Sequence, residues 1–221
     1  NGVIHPVLFK SKGKTTFTAA LVKYKGETPE LKNESVVNDI VEQIKNSPCV
    51  VTSIKKTEKT VRPKAPFTTS KLQQAAANKL SFTSRKTMQI AQQLYEGINI
   101  GSNRVGLITY MRTDSTRISQ TALDDVRKWL GEKHPEELPA EPIEYSVGKK
   151  AQDAHEAIRP ISLDRRPDLV KDSLSGDTYK LYKLIYERFL ASQMASAIYK
   201  TLSIDITANE YLFKATGSQI K

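Results

Sequence analysis

GLITYMRTDSTRIS, residues 106–119, is the stretch around which the rest of the chain is organised. It opens with apolar side chains typical of a buried strand, and the pattern predicts a strand over residues 105–111. Positions 110–116 then hold a phenol, a guanidinium, a carboxylate and three hydroxyls. Ser119 stands where a helix N-cap is expected, because apolar residues recur at helical spacing from residue 122 onwards. Strand, polar corner and capped helix would present reactive side chains at the end of a rigid element.

Tyr110 and Arg112 are the pair in this stretch that points to chemistry. They lie two positions apart, and on an extended backbone such side chains share a face. An arginine grips phosphate bidentately and keeps its charge, so a phenol beside a guanidinium is a pair suited to phosphate chemistry. The alternative interpretation is an ordinary half-buried strand tyrosine whose hydroxyl reaches the surface.

The composition favours a polyanionic partner. The 221 residues contain 34 Lys and Arg against 24 Asp and Glu, a net charge of +10. Nucleic acid is the first candidate for such a balance and an acidic membrane the second. A single cysteine, Cys49, excludes a disulfide framework and a zinc cluster, and indicates a reducing, intracellular setting. No apolar run has the length of a membrane span, and no signal peptide opens the sequence. Because the chain starts at Asn1 and its last residues have a strand pattern, we expect an excised piece of a longer protein.

The order of predicted elements is β, helical, β. Residues 1–66 read mainly as strands, at 15–24 and 50–60, with one amphipathic helix over 36–45 capped by Asn33 or Ser35. Two prolines in residues 61–66 mark a linker. Strand patterns return after residue 197, with a hairpin turn at 208–210.

We therefore predict an α+β fold in two domains. A discontinuous β-rich domain comprises residues 1–66 and 197–221, and a mainly helical domain, residues 67–196, is inserted into it. The inserted domain begins with helices over 70–80 and 87–96, for which Ser70 and Ser84 are the predicted caps and Gly97 the end.

Those two helices, followed by the strand predicted at 105–111, resemble a helix-turn-helix with a wing, which often docks on DNA. The alternative is an ordinary pair of antiparallel helices. A long helix over 177–194 carries an apolar stripe that we expect to be core rather than a platform for stacking bases.

DAHEAIRP, residues 153–160, supplies a second cluster of functional side chains. If it is helical, His155 and Arg159 lie on one face. The zinc-protease pattern HExxH is not met, because Arg159 stands where the second histidine must be. The plain alternative is a capped helix with an internal pair between Glu156 and Arg159.

Together, GLITYMRTDST and DAHEAIRP resemble the two signature stretches of the type IA DNA topoisomerases, the bacterial topoisomerase I branch most closely. The upstream sequence PFTTSKLQQAAANKLSFTSRKTMQIAQQLYE, residues 66–96, also resembles the family segment that leads to the active tyrosine. The similarity runs through most of residues 60–196. It implies the arch of a toroidal enzyme together with its tyrosine-bearing domain.

The resemblance implies roles for particular residues. Tyr110 matches the nucleophile, which attacks a DNA phosphodiester, releases a 3′-hydroxyl and is joined to the 5′-phosphate. Another strand passes through the gap, and religation follows without ATP. Arg112 matches the arginine that positions the phosphate, and His155 matches a residue that binds the strand. The implied DNA-binding residues are Arg112, Thr113, Asp114, His155, Glu156 and Arg159. Asp114 could orient either His155 or Arg112.

The resemblance also implies what lies elsewhere. The family binds Mg²⁺ through an acidic cluster in an N-terminal domain, and nothing in this sequence matches that cluster, so no metal ligands are expected here. This polypeptide alone is therefore expected not to relax DNA. The implied partners are single-stranded and negatively supercoiled DNA and no membrane, for a monomer that acts in the cytoplasm at the nucleoid.

Two other classes compete with this interpretation. Tyrosine recombinases and type IB topoisomerases place an HxxR element before a late tyrosine, whereas here Tyr110 precedes His155 and the spacing is HxxxR. The second class is a single-stranded nucleic-acid binding module without chemistry, which the charge and the helix pair alone would also fit.

Overall fold

The computed structural model describes residues 7–10, 16–31, 33–145 and 155–221. The chain divides into two compact units, the first formed by Asn1–Val61 with Ala197–Lys221 and the second by Arg62–Ser196. The domain limits drawn from the sequence, at residues 66 and 197, stay a prediction. No helix among the described residues is both long and apolar enough to cross a bilayer.

Seven strands and six helices make up the described parts of the chain. The strands are β1 (Val7–Lys10), β2 (Thr16–Tyr24), β3 (Cys49–Val61), β4 (Ile98–Ile100), β5 (Asn103–Val105), β6 (Ala197–Ala208) and β7 (Tyr211–Ile220). The helices are α1 (Glu34–Lys45), α2 (Thr69–Leu80), α3 (Ser84–Glu96), α4 (Gln120–Lys133), α5 (Pro167–Val170) and α6 (Gly176–Ser192). Short 3₁₀ turns occur at Pro135–Glu137 and Lys171–Ser173.

The first unit is a five-stranded antiparallel sheet in the order β1-β2-β7-β6-β3. The hairpin predicted at residues 208–210 is confirmed: Ala208 pairs with Tyr211, and Asn209 takes the left-handed backbone that such a tight turn requires, with φ of 55°. Asn33 caps α1 by accepting a hydrogen bond from the Val36 N–H at 3.0 Å. Helix α1 then adds Ile44 to the apolar core of the sheet.

The helices of the second unit begin at hydroxyl caps. Ser119 accepts from the Ala122 N–H, which confirms the predicted cap of α4. The caps predicted at Ser70 and Ser84 are wrong, since Thr68 and Thr83 hold those positions. Each segment offers two or three consecutive hydroxyl residues, and the cap is the one whose backbone is still extended.

The stripe on α6 is core, as predicted. Its apolar residues are buried in the second unit, among them Leu181 and Ile185, which are fully inaccessible. The Tyr182 and Tyr186 phenols each donate a hydrogen bond of 2.6 Å to a backbone carbonyl. Burial raises the pKa of Tyr186 to about 12 and that of Tyr182 further. Neither ring is available for stacking on a base.

Two local predictions about the signature stretches are wrong. Residues 105–111 are not a strand: β5 ends at Val105, and from there to α4 the chain makes only a single bridge, between Ile108 and Pro160. The described part of DAHEAIRP, from His155 onwards, is extended rather than helical. Its backbone N–H groups are taken by distant segments, and these tertiary bonds outweigh helix propensity. After α2 and α3 comes the short β4–β5 hairpin at 98–105, not a strand at 105–111, and the helix-turn-helix with a wing stays a prediction.

Candidate active site

The two signature stretches lie side by side, and Thr109 joins them. The Thr109 N–H donates to the Arg159 carbonyl at 2.9 Å, and its hydroxyl donates to the Ala157 carbonyl at 2.8 Å. The same hydroxyl accepts from the Arg159 N–H at 3.0 Å. The N–H and the hydroxyl of Thr109 thus both bond to the neighbouring stretch. Thr109 directly precedes Tyr110 in the chain.

Further backbone bonds extend this contact on both sides. The Ala157 N–H donates to the Arg117 carbonyl at 2.8 Å, and the Ile161 N–H donates to the Leu107 carbonyl at 3.0 Å. The Ile158 N–H donates to the Phe67 carbonyl at 2.8 Å. The extended segment from residue 155 to residue 161 therefore lies between the residues before α2 and the stretch that contains Tyr110.

Helix α2 fixes the backbone around Arg112 through Thr69. The Thr69 hydroxyl donates to the Met111 carbonyl at 2.7 Å and accepts from the Thr113 N–H at 2.9 Å. The Thr69 N–H donates to the Thr113 carbonyl at 2.9 Å. Arg112 thus lies between two residues that are both bonded to the first turn of α2.

Burial alternates along this loop with a period of two. Met111, Thr113 and Ser115 are 0%, 8% and 1% exposed, whereas Tyr110, Arg112 and Asp114 face solvent. This agrees with the prediction that Tyr110 and Arg112 share a face, although the segment is not part of a sheet. Two short hydroxyl turns sustain the pattern, since Ser115 N–H donates to the Thr113 hydroxyl and Arg117 N–H to the Ser115 hydroxyl.

Tyr110 is 42% exposed and packs edge-to-face against Tyr95 at the end of α3, with ring centroids 5.3 Å apart. Two features bring the loop to that point. The Leu107 N–H donates to the Leu94 carbonyl at 2.8 Å. At Gly106, an added Cβ would lie 2.8 Å from the Tyr95 carbonyl oxygen, so a glycine is needed for this approach.

Arg112, Asp114 and His155 meet at a cavity of about 600 Å³ beside the first turn of α2. Thr113 and three residues of α2 complete its lining, namely Thr69, Ser70 and Gln73. The Arg112 guanidinium and the N-terminus of α2 favour an anion, and the Asp114 carboxylate in the same lining opposes it. Among the described residues, Tyr110 is not one of those that line this cavity.

The remaining predicted site residues are turned inwards. Arg159 binds Glu156 through Nη2 at 2.7 Å and Nε at 2.8 Å, and its Nη1 donates to the Pro160 carbonyl at 3.0 Å. Both side chains are at most 20% exposed. Thr113 is buried, with its hydroxyl occupied by Ser115. Arg159 and Glu156 thus bond to each other, and Thr113 contributes to the cavity lining while its hydroxyl accepts from Ser115.

Sequence reasoning did not find Thr109, Tyr95 or the α2 residues of the cavity. Each of these residues contacts a partner 15 to 50 positions away in the sequence, and no local sequence pattern identifies such pairs. Within the described residues, no group of three or more His, Cys, Asp or Glu could hold a metal ion. The described residues therefore do not fit the Mg²⁺ that the family resemblance implies.

A loop that exposes a tyrosine and an arginine, fixed on both sides and adjoining an anion-attracting cavity, is the type of site that a protein acting on phosphodiesters requires. The chain belongs to the DNA topoisomerase family, whose model matches residues 6–221. It is 48% identical over 209 residues to DNA topoisomerase 1 of Treponema pallidum, across 95% of this chain and 29% of that protein. It also matches the structure of full-length topoisomerase I from Thermotoga maritima, with a TM-score of 0.74 and 37% identity.

These matches confirm the resemblance to bacterial type IA topoisomerases. The structural match covers 92% of this chain and 32% of the Thermotoga protein. The chain therefore spans about a third of the length of the relatives it matches.

Proposed function

We propose that this chain supplies the nucleophile of a type IA topoisomerase that relaxes negatively supercoiled DNA. The observation that carries the proposal is the exposed pair Tyr110 and Arg112 on a loop fixed by Thr69 and Thr109. The Tyr110 phenol loses its proton as its oxygen bonds to phosphorus. The bond from phosphorus to the 3′ oxygen breaks, and that oxygen takes up a proton and leaves as a 3′-hydroxyl.

The product is a 5′-phosphotyrosyl link, which splits one difficult step into two easier ones. Because this link replaces one phosphodiester by another, religation needs no ATP. Strand passage between the two steps changes the linking of the DNA. The substrate in this scheme is single-stranded or negatively supercoiled DNA, and the enzyme acts as a monomer in the cytoplasm at the nucleoid.

Arg112 neutralises the scissile phosphate as charge develops on it, and the exposed guanidinium beside the N-terminus of α2 supports this role. His155, which lines the same cavity, binds the strand. Asp114 orients His155 or Arg112. Thr113, Glu156 and Arg159 contribute by fixing the loop that carries these groups, rather than by the direct DNA contact that the resemblance implied.

Mg²⁺ would belong to parts of the enzyme outside this chain, and no step above is assigned to it. The 221-residue chain alone is accordingly expected to cleave DNA only at background. A second candidate function is a single-stranded nucleic-acid binding module without chemistry. The net charge of +10 favours it equally, so the two functions must be separated by experiment.

The test is Tyr110→Phe in a full-length topoisomerase that carries this chain. The variant should form no covalent protein–DNA complexes on a denaturing gel and should not relax a supercoiled plasmid. It should still bind a single-stranded oligonucleotide. Tyr179→Phe, which removes a hydroxyl from a partly buried ring of α6, is the matched control and should retain both activities. Relaxation by the Tyr110→Phe enzyme would refute the nucleophile assignment.

A further inference from the structure

A second groove lies on the other side of α2 from the Arg112 cavity. It has a volume of about 580 Å³ and is bounded by α2, by the segment before that helix, and by Thr116 and Arg188. On α2 its wall is formed by Lys71, Gln74, Ala75, Asn78 and Lys79, whose spacing places them on one helix face. Neither the proposed chemistry nor the signature stretches assign any role to this groove.

The charge of the groove is of one sign. Among the described residues that line it, Lys64, Lys71, Lys79 and Arg188 are cations and none is a carboxylate. None of these four forms an ion pair with another described residue, whereas Lys86 of α3 and Lys180 and Lys183 of α6 each do. Four cations left without carboxylates in one groove create a field that favours a polyanion.

Arg188 shows how one of these charges is held. Its guanidinium lies over the Phe67 ring, 4.4 Å from the centroid, and Nη1 donates to the Ala65 carbonyl at 3.4 Å. Burial lowers the pKa of Arg188, while the neighbouring Tyr145 phenol acts in the opposite direction. An arginine nevertheless stays protonated, so the groove keeps this charge, and one N–H group of Arg188 donates to a described residue.

We propose that this groove binds the sugar–phosphate backbone of a nucleic-acid strand, as a site separate from the Arg112 cavity. Lys71 and Lys79 are eight residues apart, about 12 Å along the helix, which spans several phosphates of one strand. The two sites adjoin at the first turn of α2, where Thr69 and Ser70 line one and Thr68 and Lys71 the other. A strand seated at Arg112 therefore continues over this turn into the groove.

The inference rests on the proposed function only for its choice of DNA as the polyanion. Its test measures DNA binding and does not require DNA cleavage. Fluorescence anisotropy of a labelled oligothymidylate is measured with the 221-residue chain over a series of salt concentrations. Each phosphate contact on a single strand contributes about 0.7 to the slope of log affinity against log salt. Lys71→Gln with Lys79→Gln should therefore reduce the slope by about 1.4.

The matched control is Lys128→Gln with Lys133→Gln, which removes the same charge from exposed positions of α4 in the same unit. Glutamine has nearly the helix propensity of lysine, so both pairs should fold alike. The control should leave the slope unchanged. Equal reductions in the two double variants would overturn the site, because they would show a general effect of net charge.

Two competitors complete the experiment. Polyglutamate of matched charge should displace the oligonucleotide much less than unlabelled oligothymidylate does, and equal displacement would overturn the assignment to nucleic acid. The assay measures binding by the 221-residue chain and involves no cleavage, so a failure of the cleavage hypothesis would leave this result intact.

Discussion

Thr109 offers the sharpest test of how the loop is held, because a single hydroxyl serves two backbone groups of the other signature stretch. Thr109→Val keeps the shape of the side chain and leaves the Ala157 carbonyl and the Arg159 N–H without that partner. Ala157 and the adjacent Ile158 are fully inaccessible, so water cannot replace the hydroxyl without rearrangement. Each unpaired buried group costs roughly 1–3 kcal/mol, and we expect a total loss of about 3 kcal/mol.

Thr109→Ser is the matched control. It keeps the hydroxyl and removes one methyl group, which is worth at most about 0.8 kcal/mol. Unfolding can be followed by the fluorescence of Trp129, the single tryptophan of the chain, which lies on α4 in the same unit. For a unit of this size the valine variant should melt about 10 °C below the parent, and the serine variant within about 3 °C of it.

The two variants also distinguish an effect on the free energy of unfolding from an effect on the position of Tyr110. At a temperature where both are folded, Thr109→Val should lower covalent trapping of DNA in the full-length enzyme by at least about tenfold, since small displacements of a nucleophile are costly. Thr109→Ser should trap DNA nearly as well as the parent. If the valine and serine variants unfold within about 0.5 kcal/mol of each other, the hydroxyl does not clamp the loop and the reasoning fails.

Two further predictions concern neighbouring positions. Arg112→Ala should reduce the cleavage rate by about 100-fold and Arg112→Lys by about tenfold, because lysine keeps the charge but not the bidentate geometry; equal losses in a single-turnover assay would contradict this. Gly106→Ala should destabilise the second unit by about 2 kcal/mol, because its Cβ would meet the Tyr95 carbonyl at 2.8 Å, whereas Gly176→Ala, with open space around it, should not. Similar thermal unfolding of the two alanine variants would argue against the close approach.

The elements that the sequence predicts correctly are those set by local rules. The stripe on α6 and the Ser119 cap depend on spacings of three and four residues, and the β6–β7 hairpin depends on alternation about a turn. The errors at Ser70 and Ser84 are shifts of one or two residues within runs of hydroxyls. There, any of several side chains could serve as the cap.

The signature stretches follow different rules. The apolar start at Leu107 and Ile108 is typical of a strand, but those residues are buried because they pack in the helical core, not because they pair in a sheet. Likewise, the segment after His155 has helix-forming residues yet gives its N–H groups to distant partners. In these segments the local sequence pattern predicts burial, but it does not predict which segment supplies the hydrogen-bond partners.

The fixed loop bears on how a broken strand would separate. Freeing the backbone of Tyr110 and Arg112 from Thr109 and Thr69 would break about four hydrogen bonds, at about 1 kcal/mol each before any unpaired group is counted. Moving a covalently held DNA end by moving this loop alone would therefore cost the free energy of those hydrogen bonds. Rotation about a few linker bonds breaks none of these contacts. On the proposed mechanism we accordingly expect the clamp at Thr109 to stay intact while Tyr110 holds the DNA end.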